Sequence, residues 1–194
     1  MRLFVFARHA ESQLNVERRI NGDPTVEVPL TDEGLAQARR LGAEVANVPF
    51  DVCVHTRFGR TRETAEVALS GQDVPFAVEP LLDDIDIGEL EGESLEAYRA
   101  WKHSHPRDAR FPGGESLDDA AARYVQAFRS LIALPHERVL AIVHEIPIRY
   151  ALNGAAGSDS LDGPAHEVAN AVPYLFDEKG LARAAEGIEA VLAG

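Results

Sequence analysis

The chain has 194 residues, 45% of them hydrophobic, and a formal net charge of −13. That length suits one compact domain with one substantial core rather than two, and the charge sets the whole molecule against nucleic acid and acidic membrane surfaces. No apolar stretch approaches the length that spans a bilayer.

The first predicted element is a buried strand, Leu3–Ala7. This run is too short for a signal-peptide core and is followed at once by charge, Arg8-His9. Asn21–Pro29, with Gly22, Pro24 and Pro29, reads as a loop. Thr31 is a helix N-cap, and Asp32 and Glu33 suit the positive end of the helix behind it. That helix runs to about Val45, with Leu35, Ala38, Leu41 and Val45 on one face. Val52–Val54 is a second buried strand and ends in His55-Thr56. It holds the single cysteine, Cys53, so no intramolecular disulfide can form. A buried, unreactive thiol and a reducing, cytoplasmic compartment are expected.

Gly59–Leu69 is a second helix and carries Arg60 and Arg62. Phe76–Leu82 is a weaker strand, and Leu95–His103 a third helix. Asp108–Glu115, with Pro112, Gly113 and Gly114, is a loop expected to form a lid or rim. Ser116–Leu134 is a fourth helix, with Leu117, Ala121, Tyr124, Phe128 and Leu131 at helical spacing. Val139–Val143 is a β-branched strand ending in His144. Pro147 suits the first turn of a new helix, and Val172–Phe176 supplies a further strand near an alanine-rich end. Strands alternating with helices make an α/β layer fold with a mostly parallel sheet.

In open sheets of this kind ligands bind beyond the carboxyl ends of the strands. His9 and His144 stand at two such ends and face each other if their strands are neighbours. Taken singly, each candidate also has a structural reading: His9 a hydrogen-bonded core histidine, Arg60 and Arg62 solvated helix residues, Asn15 a turn or cap. His103-Ser104-His105 has a spacing that invites metal but lacks further ligands nearby, which favours a solvated loop.

The order of the segments adds more. Arg8-His9-Ala10-Glu11-Ser12, with Asn15 beyond it, resembles the Arg-His-Gly-Glu-Thr…Asn signature of the histidine phosphatase superfamily, which includes phosphoglycerate mutases and many small phosphatases. Pro29-Leu30-Thr31-Asp32-Glu33-Gly34 with Gln37-Ala38, Thr56 with Arg60-Thr61 and Thr64-Ala65, the acid loop Leu82–Gly92, Pro112-Gly113-Gly114-Glu115-Ser116, and His144 are similar to further segments of that family, in the same order. The resemblance implies one domain over residues 1–194 with the three-layer phosphoglycerate mutase-like fold, a mostly parallel central sheet flanked by helices. It also implies a phosphomonoesterase acting on small phosphorylated metabolites through a phosphohistidine on His9, without cofactor or metal.

Phosphoryl transfer to nitrogen needs a neutral imidazole lone pair in line with the leaving oxygen, and donors for the equatorial oxygens. By the resemblance those donors are Arg8, Arg60 and His144, with Asn15 as a neutral one. The acid and base is Asp84, where the family usually has Glu, with Asp83 and Asp86 as neighbours able to replace it. Family mutases are usually longer, and the Pro-Gly-Gly-Glu-Ser segment fits small phosphatases. The alternatives are a member that binds a phosphorylated ligand with little turnover, and a phosphoglycerate mutase. Two positions depart from the family: Ala10 and Glu145 each replace glycine. Glu145 either turns its side chain away or sets negative charge beside the phosphate. Specificity is expected from Asn21–Pro29 and Tyr98–Pro112, and Arg19, Arg107, Arg110 and Arg149 are either contacts for a second anion or surface residues.

Overall fold

The computed structural model describes residues 2–194. In chain order the elements are β1 (Leu3–Arg8), α1 (Gln13–Val16), α2 (Asp32–Val45), β2 (Val52–His55), α3 (Gly59–Ala68) and β3 (Phe76–Val78). They continue with α4 (Leu95–Ser104), α5 (Leu117–Ala133), β4 (Arg138–Val143), α6 (Glu145–Ala155), β5 (Pro173–Asp177) and α7 (Glu178–Ala193).

The strands form one sheet in the order β3-β2-β4-β1-β5. The first four are parallel, and β5 runs antiparallel to β1 at the edge. The central strands are apolar on both faces, as a parallel sheet covered on both sides requires. Phe4, Phe6, Val52, Val54, Val139 and Ala141 point into a core shared with α5, α6 and α7. Val5, Ala7, Cys53, Leu140 and Ile142 point the other way, into a core shared with α2 and α3. The result is the expected three layers. Cys53 is fully buried, and burial pushes its thiol up to about 12. Among the described residues no helix is long and apolar enough to cross a membrane.

Three segments differ from their sequence expectation. The strand expected over Phe76–Leu82 stops at Val78, because the Glu79 side chain accepts from the Leu81 amide and Pro80 opens a 3₁₀ turn, Pro80–Leu82. α6 begins at Glu145 and has Pro147 in its first turn as expected, where the missing N–H costs no helical bond. The alanine-rich end forms α7, which buries Leu181, Ala184, Ala185 and Ile188 and is capped by Asp177, which accepts from the Gly180 amide at 2.6 Å. The loop expected as a lid or rim, Asp108–Glu115, is docked on the acid loop. Glu89 N donates to Pro112 O at 2.8 Å, Glu115 N donates to Asp86 O at 2.9 Å, and Phe111 is buried.

Candidate active site

β1 and β4 pair in a register that sets Arg8 opposite Val143, so the next residues, His9 and His144, share one end of the sheet. Their ring centroids lie 5.5 Å apart. The segment after β1 is clamped by residues remote in sequence. His9 N donates to Val143 O at 2.9 Å, Ala10 N to Thr64 Oγ1 at 3.0 Å, and Asn170 Nδ2 to His9 O at 2.7 Å. Glu11 is held by Gln37 and by Thr31, the cap of α2. Gly34 sits so close that a Cβ there would lie 2.0 Å from Glu11 O, which only glycine avoids. Ala10 does not have the left-handed backbone that would demand glycine, so alanine is accommodated.

His9 is 3% exposed. Its Nδ1 lies 2.8 Å from Ala10 O. A carbonyl can only accept, so Nδ1 carries the proton and Nε2 keeps its lone pair. Nε2 accepts from Arg60 Nε at 3.1 Å. Burial, with Arg60 and Arg8 alongside, holds His9 well below the ordinary 6.5, so the ring is neutral near pH 7.

His144 is wholly buried and is not in the cavity wall. Its Nε2 lies 3.0 Å from Thr56 Oγ1, which lies 2.8 Å from Thr61 Oγ1, and Thr61 donates to Phe58 O at 2.8 Å. That chain places the proton on Nε2, leaving Nδ1 to accept from Arg60 Nη2 at 3.2 Å. Burial, then Arg60 and His9, hold His144 well below 6.5 as well. It is therefore a neutral ring behind Arg60, in contact with the guanidinium that lines the cavity.

Arg60 joins these groups. It is 5% exposed, its guanidinium lies 4.3 Å from the Phe58 ring centroid, and it also donates to Asn21 Oδ1, to Asn21 O and to Asp84 Oδ2. Asn21, from the expected specificity segment Asn21–Pro29, is fixed in turn by donating to Glu91 at 2.7 Å. Arg62 is exposed beside Glu66, the solvated role.

The acid loop separates three neighbouring carboxylates. Asp83 accepts from Arg57 N at 2.9 Å and from Arg57 Nε at 2.5 Å. Asp86 is exposed and accepts from Gly88 N. Only Asp84 of the three reaches the cavity of the histidines, with Oδ2 3.2 Å from Arg60 Nη2 and 3.5 Å from His144 Nδ1. Burial raises its carboxyl above the ordinary 3.8, against the opposing pull of Arg60.

Arg123 of α5 holds this loop by donating to Leu81 O at 2.9 Å, Asp83 O at 3.0 Å and Asp84 O at 3.3 Å while paired with Glu115 at 2.5 Å. Tyr124 OH adds a bond to Asp83 O. Arg123→Ala should keep the fold but loosen Asp84, lowering kcat about 10–100-fold with little change in KM. Steady-state kinetics beside a thermal unfolding scan checks this; an unchanged kcat would remove Arg123 from the account.

The cavity has a volume of about 450 Å³, several times that of a phosphate group, and Arg8, His9, Asn15, Arg60 and Asp84 all line it. Asn15 Oδ1 accepts from Ser12 N at 3.1 Å, so its carbonyl caps α1 while the side chain stays at the wall. Asn21, Gly22, Val28, Tyr98 and Lys102 contribute from the two expected specificity segments. Arg19 and Arg149 line the cavity; Arg107 and Arg110 do not, being paired with Asp118 and Asp162 and with Asp119. His105 stacks on Trp101 at 4.2 Å. Glu145 does not turn away: its Oε2 lies 2.9 Å from Arg8 Nη1.

The chain is similar to known proteins in sequence and in fold. Residues 4–183 match the profile described as "Histidine phosphatase superfamily (branch 1)". The chain is 34% identical over 167 residues to a 2,3-bisphosphoglycerate-dependent phosphoglycerate mutase 2 of Gloeobacter violaceus, covering 78% of this chain and 74% of the other. It is 32% identical over 158 residues to a probable phosphoglycerate mutase of Proteus mirabilis, covering 77% and 73%. In fold it resembles the crystal structure of a putative alpha-ribazole-5'-P phosphatase from Escherichia coli, with a TM-score of 0.76 at 22% identity over 90% of this chain and 89% of that one.

Proposed function

The chain belongs to the histidine phosphatase superfamily, and from that premise we propose that it is a phosphomonoesterase acting on small phosphorylated metabolites through a phosphohistidine on His9. The observation that carries the reading is the His9 tautomer. Its proton is held on Nδ1 by Ala10 O, leaving the Nε2 lone pair at the edge of a cavity lined by Arg8, Arg60 and Asp84.

In the first step His9 Nε2 attacks phosphorus and the bond to the leaving oxygen breaks, with Asp84 giving its proton to the departing alkoxide. Arg60 exchanges its bond to Nε2 for a phosphate oxygen, and Arg8 and the Asn15 amide donate to the others. Such charge-assisted bonds contribute roughly 1.5–3 kcal/mol each. In the second step water attacks phosphorus, Asp84 takes its proton, and the N–P bond breaks to restore His9. His144 is a positioning residue that orients Arg60 and Asp84. A single buried, unreactive thiol supports a reducing, cytoplasmic setting.

The cavity opens to solvent past the exposed side chains of Arg18, Arg19 and Arg99, which would admit water to a phosphoenzyme. This supports hydrolysis over transfer between sugar-acid positions. The mutase reading keeps one observation in its favour, the names of the 32–34% identical relatives. With 3-phosphoglycerate and a bisphosphoglycerate primer, in chelator, we expect release of inorganic phosphate to exceed formation of the 2-isomer. The reverse ratio would make the protein a mutase. Binding of phosphate esters with neither product formed would make it a binding member.

A further inference from the structure

We propose that Glu145 is a specificity-determining residue that disfavours leaving groups bearing a second negative charge, so that the enzyme selects phosphate monoesters with a neutral or cationic leaving group. This deepens the phosphatase reading and rests on it.

Glu145 is the first residue of α6 and lines the cavity beside the phosphate end. Its carboxylate bridges two arginines of the wall: Oε2 lies 2.9 Å from Arg8 Nη1 and Oε1 lies 3.4 Å from Arg149 Nη1. Arg149 is also 2.8 Å from Asp162, and Lys102 is 3.6 Å from the same Asp162 oxygen. Arg8 and Arg149 are thus already bridged by Glu145, while Arg149 and Lys102 share Asp162. A carboxylate or second phosphate placed between Arg8 and Arg149 meets the charge of Glu145, which already occupies both guanidinium groups. A hydroxyl or ammonium group instead finds an acceptor in Glu145, while Ile20, Leu95 and Tyr98 line the cavity with carbon surface. Like charges a few ångströms apart in a partly buried site interact strongly enough to change selectivity by at least about tenfold.

Glycerol 3-phosphate and 3-phosphoglycerate isolate this effect, since they differ by a hydroxymethyl group against a carboxylate at similar size. The wild type should have the higher kcat/KM for glycerol 3-phosphate. Glu145→Gln, which keeps shape and removes charge, should move the ratio toward 3-phosphoglycerate by about 10-fold or more, and Glu145→Ala should move it the same way. A ratio unchanged in both folded variants overturns the proposal. If the variants do not fold, dissociation constants of the two esters for the wild type, read by calorimetry, decide it: the glycerol ester should bind tighter, and equal or reversed affinity overturns the proposal. Phosphate release from neither ester by the wild type refutes the phosphatase reading instead, and the same calorimetric comparison still decides the role of Glu145.

Discussion

His9→Ala abolishes phosphate release, lowering kcat by at least about 10⁴-fold on both aryl and alkyl phosphates. The size of the loss follows from the absence of a substitute at the cavity. His144 is also neutral, but its Nδ1 lone pair accepts from Arg60 and the ring is wholly buried outside the wall. Its other nitrogen is held by Thr56. The loss should therefore appear in the chemical step and in the intermediate alike. Rapid quenching with a radiolabelled ester should trap an acid-labile phosphoenzyme in the wild type and none in His9→Ala. Removal of the ring also releases Arg60 Nε from its acceptor, so phosphate can still bind through Arg8 and Arg60. Turnover surviving in the variant would refute a covalent route through His9.

Asp84→Asn carries the second large effect, a fall in kcat of about 10²–10⁴-fold on alkyl phosphates. An alkoxide must be protonated as it leaves, whereas a nitrophenolate leaves without help, so the loss on an aryl ester should be much smaller. The pH profile gives a second check. Activity needs neutral His9 and protonated Asp84 together. Burial, Arg60 and Arg8 lower His9 below 6.5, so the acid limb falls only as pH drops through that lowered value. Burial raises Asp84 above 3.8, so the alkaline limb falls as pH climbs through that raised value. Asparagine cannot titrate, and the alkaline limb should vanish in the variant. Equal losses on both ester classes, with the limb intact, would assign the acid elsewhere.

The parts of this site that are legible in sequence are those written in short segments. An apolar run ending in Arg8-His9, and a second ending in His144, announce strand ends, and the parallel register then brings the histidines together. Thr31, Gly34 and Gln37 stand in a recognisable helix start, and the structure gives the reason: all three close on Glu11 behind His9. The choice among Asp83, Asp84 and Asp86 is not written locally, because three equivalent carboxylates differ only in what they meet. Arg57 takes Asp83, the Gly88 turn takes Asp86, and Asp84 is left facing Arg60. Asn21, Thr56 and Arg123 act over 39, 88 and about 40 residues of separation, through contacts that only the folded chain creates. The neutrality of His144 belongs to the same class, since burial rather than residue type sets its charge. α7 is the opposite case: its burial pattern at Leu181, Ala184, Ala185 and Ile188 is regular, but small alanines make a weak apolar stripe.

The bonds that converge on Arg60 also govern departure. Its guanidinium donates to His9, His144, Asn21 and Asp84, all supplied by the protein. In the proposed reaction, inorganic phosphate leaving the cavity returns the Arg60 donors to acceptors that the protein already supplies, so this guanidinium needs no new partner before the next ester binds.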